Sequence, residues 1–184
     1  MMQENKCRVF LGIPVQQSLY EKLKHLLCSQ QVNFPEGHWI LPENAHITIR
    51  FFGDIDRNQL ESLWNNIQNK INNHAKPFSI NIEKIAPFPR KNASLIAAYI
   101  NQNNEIQKLF SSINDINIDS AFSNDGIFIP HITLYRNKND IPATLPAIFT
   151  KDCEFTVDTF VLYESQIIDD KRIYRRLYSM QLKK

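Results

Sequence analysis

The chain has 184 residues, which is room for one domain or two similar lobes and not for separate modules. Hydrophobic residues at 43% and charged residues at 22% match ordinary globular usage and argue against disorder or a fibrous architecture. Four glycines and no GxGxxG or GxxxxGK run argue against a nucleotide site built on a glycine-rich turn, and a net charge of +2 neither requires nor forbids a polyanion.

In chain order, RVFLGI at 8–13, closed by Pro14, predicts a buried first strand. Leu19, Leu23, Leu26 and Leu27 then recur at helical spacing between Gln16 and Ser29. Residues 32–44, with Pro35, Gly37 and Pro42, read as loop, and AHITIRFFG alternates as a strand ending at Gly53. Asp54 or Asp56 is placed to cap a second helix over 57–73 that buries Leu60, Leu63, Trp64, Ile67 and Ile71. FSINIEKIAPF and SLIAAYI predict a hairpin whose turn exposes Arg90 and Lys91. Residues 103–113 form a third helix, and the polar DSAFSNDG stretch leads into the strand of IFIPHITLYR. EFTVDTFVLYESQII and RIYRRLYSMQL, about Asp169-Asp170-Lys171, form a last hairpin. Turns this short join antiparallel neighbours, so the expected class is α+β with antiparallel sheets.

The three cysteines, Cys7, Cys28 and Cys153, include no CxxC and suggest neither a disulfide framework nor a cysteine zinc site. The apolar stretch near the N-terminus is too short for a signal segment or a membrane span, which implies a soluble, cytoplasmic protein with no membrane partner.

One internal repeat carries chemistry. His46-Ile47-Thr48-Ile49 and His131-Ile132-Thr133-Leu134 are both HxTx with aliphatic x, 85 residues apart (131 − 46), nearly half the chain. On a strand, alternate side chains share a face, so each copy anchors its aliphatic residues in a core and directs an imidazole and a hydroxyl the other way. Two lobes related by a pseudo-twofold axis would then line a cleft with two histidines. A lone histidine on a strand is ordinarily a hydrogen-bonded structural residue, but sheet packing gives no reason to repeat one at equivalent positions. Neither motif has Asp, Glu or Cys beside its histidine, so no zinc centre is expected. His25, His38 and His74, on a helix, in a loop and at a helix end, read as locally bonded or solvated.

Two imidazoles across a cleft can give a proton to a leaving group and take one from water. The threonine hydroxyls suit nonbridging phosphoryl oxygens, and Arg50 shares strand parity with His46, which would add a cation. Arg136 has the opposite parity from His131 and reaches the cleft only if the strand bulges near Tyr135. No serine or cysteine elbow is present, so the attacking group is water or a substrate hydroxyl.

These motifs resemble the 2H phosphoesterase superfamily. RVFLGIP, HWILPENAHITIRFFGDI and IPHITLYR are most similar to its LigT-type branch, the RNA 2′,3′-cyclic phosphodiesterases historically called 2′-5′ RNA ligases. The resemblance covers most of the chain. It implies a single bilobal domain over residues 1–184, with antiparallel sheets lining a central cleft and helices outside, and one HxTx motif per lobe. It further implies no metal requirement and hydrolysis of a terminal 2′,3′-cyclic phosphate to a 2′-phosphomonoester, with reverse 2′-5′ ligation as an associated activity; no cofactor or obligate protein partner is evident in the sequence, and a monomer is expected. Carried over by position, His46 and His131 are catalytic, with His46 as the acid and His131 as the base; the sequence symmetry itself is compatible with either assignment. Thr48, Thr133, Arg50, Arg136 and Tyr135 are the expected substrate contacts, and Phe10, Phe88, Arg90 and Tyr174 are candidate rim residues. Two other readings share the motif: a phosphodiesterase for small cyclic phosphates, such as a nucleoside 2′,3′-cyclic phosphate or an ADP-ribose cyclic phosphate, and a non-catalytic RNA-binding protein. Simple phosphate binding would call for cations more than for imidazoles that are mostly neutral at pH 7.

Overall fold

The computed structural model describes residues 5–30, 37–74, 76–88, 94–118, 127–137, 147–151, 153–169 and 171–183. The apolar N-terminal run becomes β1 (Lys6–Pro14), and the leucine stripe becomes α1 (Gln17–Cys28), which buries Leu19, Tyr20, Leu23 and Leu27. Part of the expected loop is a short strand, β2 (Gly37–Trp39), because its backbone finds partners along residues 135–137. A single 3₁₀ turn, Pro42–Asn44, delivers the chain into β3 (His46–Asp56). Asp56 precedes a second 3₁₀ turn but makes no side-chain cap, and α2 (Leu60–His74) follows. The predicted hairpin is β4 (Phe78–Phe88) with β5 (Ser94–Ile100). In α3 (Asn104–Asn114), the Asn103 side chain caps the N-terminus by accepting from the Glu105 and Ile106 amides.

The second motif opens β6 (His131–Asn137), followed by β7 (Ile148–Phe149) and β8 (Glu154–Val157). The predicted final hairpin is β9 (Thr159–Ile168) with β10 (Lys171–Gln181). Its expected first arm divides at Asp158: residues 154–157 pair with β4, whereas Thr159 onward pairs with β10 and β1. The Arg90–Lys91 turn, the 119–126 stretch, the 138–146 loop and Asp170 lie outside the described residues.

All strand pairings among the described residues are antiparallel, as the short turns require. Strands run β10-β9-β1-β3-β6-β5-β4-β7, with β2 added to β6 and β8 to β4. Outward from the β3–β6 junction the order is therefore β3-β1-β9-β10 on one side and β6-β5-β4-β7 on the other, the arrangement a duplicated unit produces. The junction is registered at one pair, Ile47 opposite Ile132, both fully buried. All three helices pack on the sheet face that carries these isoleucines, in one continuous core. The opposite face bears a separate small aromatic cluster of Phe10, Val161 and Tyr163 with Tyr174 against it. Helices on one face thus leave the other open for a site.

Candidate active site

The antiparallel register at Ile47–Ile132 brings residues 46 and 48 of one strand beside residues 133 and 131 of the other. His46, Thr48, His131 and Thr133 are all half-buried on the helix-free face, while Ile47, Ile49, Ile132 and Leu134 are buried beneath them. Each imidazole is anchored in the same way. His46 Nδ1 lies 2.6 Å from the Asn44 carbonyl and His131 Nδ1 lies 2.8 Å from the Ile129 carbonyl, two residues upstream in both copies. A carbonyl can only accept, so Nδ1 carries the proton and each neutral ring keeps its Nε2 lone pair for the cleft. The Thr48 hydroxyl donates to His46 Nε2 at 3.1 Å.

The strands then do something that alternation does not predict. Gly12 of β1 faces Thr48 but Leu11 faces Arg50, so Ile49 is an inserted residue; Ala97 of β5 faces Thr133 but Ile96 faces Tyr135, so Leu134 is inserted in the same place. A bulge reverses the parity of everything beyond it. Arg50 is therefore turned into the core rather than toward the cleft. It is 9% exposed, and its Nη1 donates to the carbonyls of Ile113 (2.6 Å), Ile116 (2.8 Å) and Asn114 (3.2 Å) at the end of α3, with Phe52 beneath the guanidinium. There it satisfies helix-terminal carbonyls and complements the negative end of the helix dipole. Tyr135 is likewise turned inward, packed edge-on against Trp39 at 5.2 Å. Arg136 gains what Arg50 loses: the bulge returns it to the cleft face, where its charge acts on His46. The residue equivalent to Arg136 is Phe51, half-exposed on the same face.

The two rings have different neighbours. His46 lies among Phe10 (4.8 Å between centroids), Tyr174 (5.0 Å, edge-on) and Tyr163 (5.9 Å). His131 stacks on Phe88 at 4.0 Å. Burial among apolar rings, reinforced by the charges of Arg136 and His131 and opposed by the Asn44 carbonyl, pushes the His46 pKa down to about 4. His46 is therefore neutral at pH 7. Gly12 makes this packing feasible, because a Cβ there would sit 3.2 Å from the Ile47 carbonyl oxygen and 3.4 Å from His46 Cδ2. Gly53, at φ 79°, lets β3 turn through a second bulge opposite Val9 and Phe10.

Next to His46's aromatic neighbours is a hollow of about 220 Å³ walled by Phe10, Phe51 and Tyr174, with Arg8, Arg136 and Arg172 around it. Of the anticipated rim residues, Phe10, Phe88 and Tyr174 adjoin the histidines, and Arg90 falls outside the described residues. Arg8, Phe51, Tyr163 and Arg172 escaped the sequence reading. The signal was present: Arg8 and Phe10, and Arg172 and Tyr174, are arginine–aromatic pairs two apart on strands, which places each pair on one face. Among the described residues no group of three metal-ligating side chains converges, and no helix is long and apolar enough to cross a membrane.

A two-layer α+β fold whose paired HxTx strands meet at its centre defines a 2H-type phosphoesterase architecture. Residues 15–166 match the profile of the 2′-5′ RNA ligase superfamily, and the chain belongs to that family. It is 24% identical over 173 residues to the RNA 2′,3′-cyclic phosphodiesterase of Methanocaldococcus jannaschii, covering 91% of this chain and 96% of that one. The Thermotoga maritima protein of the same name is 22% identical over 178 residues, 95% of each chain. The crystal structure of Escherichia coli LigT with 3′-AMP superposes with a TM-score of 0.77 at 19% identity, covering 98% of this chain and all of the other.

Proposed function

We propose that the chain is an RNA 2′,3′-cyclic phosphodiesterase working as one two-lobed domain, with His46 and His131 as its proton carriers. The observation behind this reading is the pair of equivalently anchored imidazoles, each with Nδ1 on a carbonyl, on adjoining strands beside Arg136. Water attacks phosphorus, one imidazole takes the water proton, the bond from phosphorus to O3′ breaks, and the other imidazole protonates O3′. The product is a 2′-phosphomonoester with a free 3′-hydroxyl. Thr48 and Thr133 donate to nonbridging oxygens, and Arg136 offsets the charge gathering on them.

We assign the acid to His46. Its ring is neutral at pH 7, but a phosphodiester anion seated against Arg136 cancels one cause of the depression and supplies a charged partner for the imidazolium. Arg50 and Tyr135 are packed in the core, so this reading gives them no contact with substrate. Turnover of a 2′,3′-cyclic-phosphate oligonucleotide in EDTA, with the product phosphate located by NMR, tests the reading. A 2′-phosphate is expected, and a 3′-phosphate product would overturn the leaving group.

A further inference from the structure

A second hollow, of about 440 Å³, lies against the first and shares Arg136, Arg172 and Tyr174 with it. Beyond this shared ridge the wall is apolar, formed by Trp39, Leu41 and Ile167, and Lys171 stands at its edge. Leu41 and Ile167 are 48% and 67% exposed, large apolar side chains held on an open surface beside cations. The volume falls within the roughly 300–1,000 Å³ typical of small-ligand sites.

The wall is built rather than incidental. Ile40 donates its amide to the Leu134 carbonyl at 2.9 Å, and the Tyr20 hydroxyl donates to the Ile40 carbonyl, which fixes the segment carrying Trp39 and Leu41. The Asn44 side chain donates to the Arg172 carbonyl at 3.2 Å, while its own carbonyl holds His46. One residue thus ties the ridge to the catalytic ring.

We propose that this hollow is the subsite for the nucleotide that precedes the reacting one at the end of an RNA strand. The inference rests on the cyclic-phosphodiesterase reading. The linking phosphodiester crosses the Arg136–Arg172 ridge, the preceding base lies on the Trp39–Ile167 wall, and Lys171 faces the next phosphate. Apolar surface with flanking cations in a continuous groove matches the alternating base and phosphate of a single strand.

Calorimetric titration of the full chain with adenosine 2′-monophosphate and with a 5′-phosphorylated dinucleotide ending in a 2′-phosphate tests it. The dinucleotide is expected to bind roughly tenfold or more tightly. Lys171→Glu and Ile167→Glu, both at exposed positions, should bring that ratio toward one. Equal affinities in the parent protein, or a ratio that persists in both variants, overturns the subsite. Hydrolysis of an oligonucleotide ending in a 2′,3′-cyclic phosphate, assayed alongside, separates the two ideas: a preserved ratio without turnover sinks the phosphodiesterase reading alone, and turnover with a ratio of one sinks the subsite alone.

Discussion

β3 and β6 carry one motif in two settings. Both hold the imidazole through a carbonyl two residues upstream, both bury the aliphatic residues, and both bulge at the fourth motif residue. They part at the fifth and sixth residues. In β3 these are a buried arginine and a cleft-facing phenylalanine; in β6 they are a buried tyrosine and a cleft-facing arginine. On the proposed reading, the duplicated part is the proton chemistry, which needs two alike groups, and the diverged part is what would meet the base on one side and the phosphate on the other.

The largest expected effect breaks the shared half of this comparison. His46→Ala and His131→Ala should each lower kcat by roughly 10²–10⁴, the usual contribution of a positioned acid or base. Their melting temperatures should fall by no more than about 4–8 °C, since each loses one or two hydrogen bonds and ring contacts at the edge of the cleft. A variant that unfolds while keeping turnover per folded molecule would return that histidine to a structural role.

The next pair separates the two arginines. Arg50→Met abandons three carbonyls at the end of α3 and should cost about 3 kcal/mol, a drop of roughly 6–12 °C, with turnover per folded molecule retained. Arg136→Met should do the reverse, lowering kcat/KM by roughly tenfold to a thousandfold at an unchanged melting temperature. Paired thermal melts and steady-state kinetics decide it, and an Arg50 variant that melts normally but turns over poorly would contradict the burial argument.

Gly12 and Ala97 are equivalent positions facing Thr48 and Thr133. Gly12→Ala should press on the His46 ring and lower kcat on the order of tenfold, because a misplacement below 1 Å already disturbs a positioned base or acid. Ala97→Gly, which only removes a methyl group, should leave kcat within about twofold and cost about 1 kcal/mol of stability.

The subtlest effect is on pH dependence. One limb of kcat/KM, which reports the free enzyme, should lie near pH 4 and vanish in His46→Ala. If the bound phosphate charges His46, the same limb in kcat lies higher. Arg136→Gln removes a cause of the depression and should also move it up. Stability follows the same group: with a folded-state pKa of about 4 against the ordinary 6.5, the unfolded chain binds the proton first, so stability is lost as pH falls from about 6.5 to 4. Melts across that window should flatten in His46→Gln, and an unchanged slope would mean that other groups set it.

Much of this molecule was legible from local pattern. Alternation marked β3 and β4, leucine spacing marked α1, short turns required antiparallel pairing, and the repeated HxTx motif singled out both histidines with their threonines. These are properties of a residue and its near neighbours. Asp158 illustrates the limit: EFTVDTFVL reads as one strand, and only the competing partners β4 and β10 divide it.

Arginine orientation was decided by tertiary structure. Arg50 and Arg136 occupy successive motif positions, and period-two alternation puts the first in the cleft and the second in the core. An inserted residue in each strand reverses both, and nothing in HITIRF or HITLYR announces it, because a bulge is defined by the partner strand's register. The same holds for the His46 pKa, which depends on Phe10, Tyr163 and Tyr174 arriving from β1, β9 and β10. Sequence alone determined which groups could carry protons, since that is a matter of residue type and alternation. Where the charges and rings around them fall depends on pairings between distant strands, and only the folded sheet makes those.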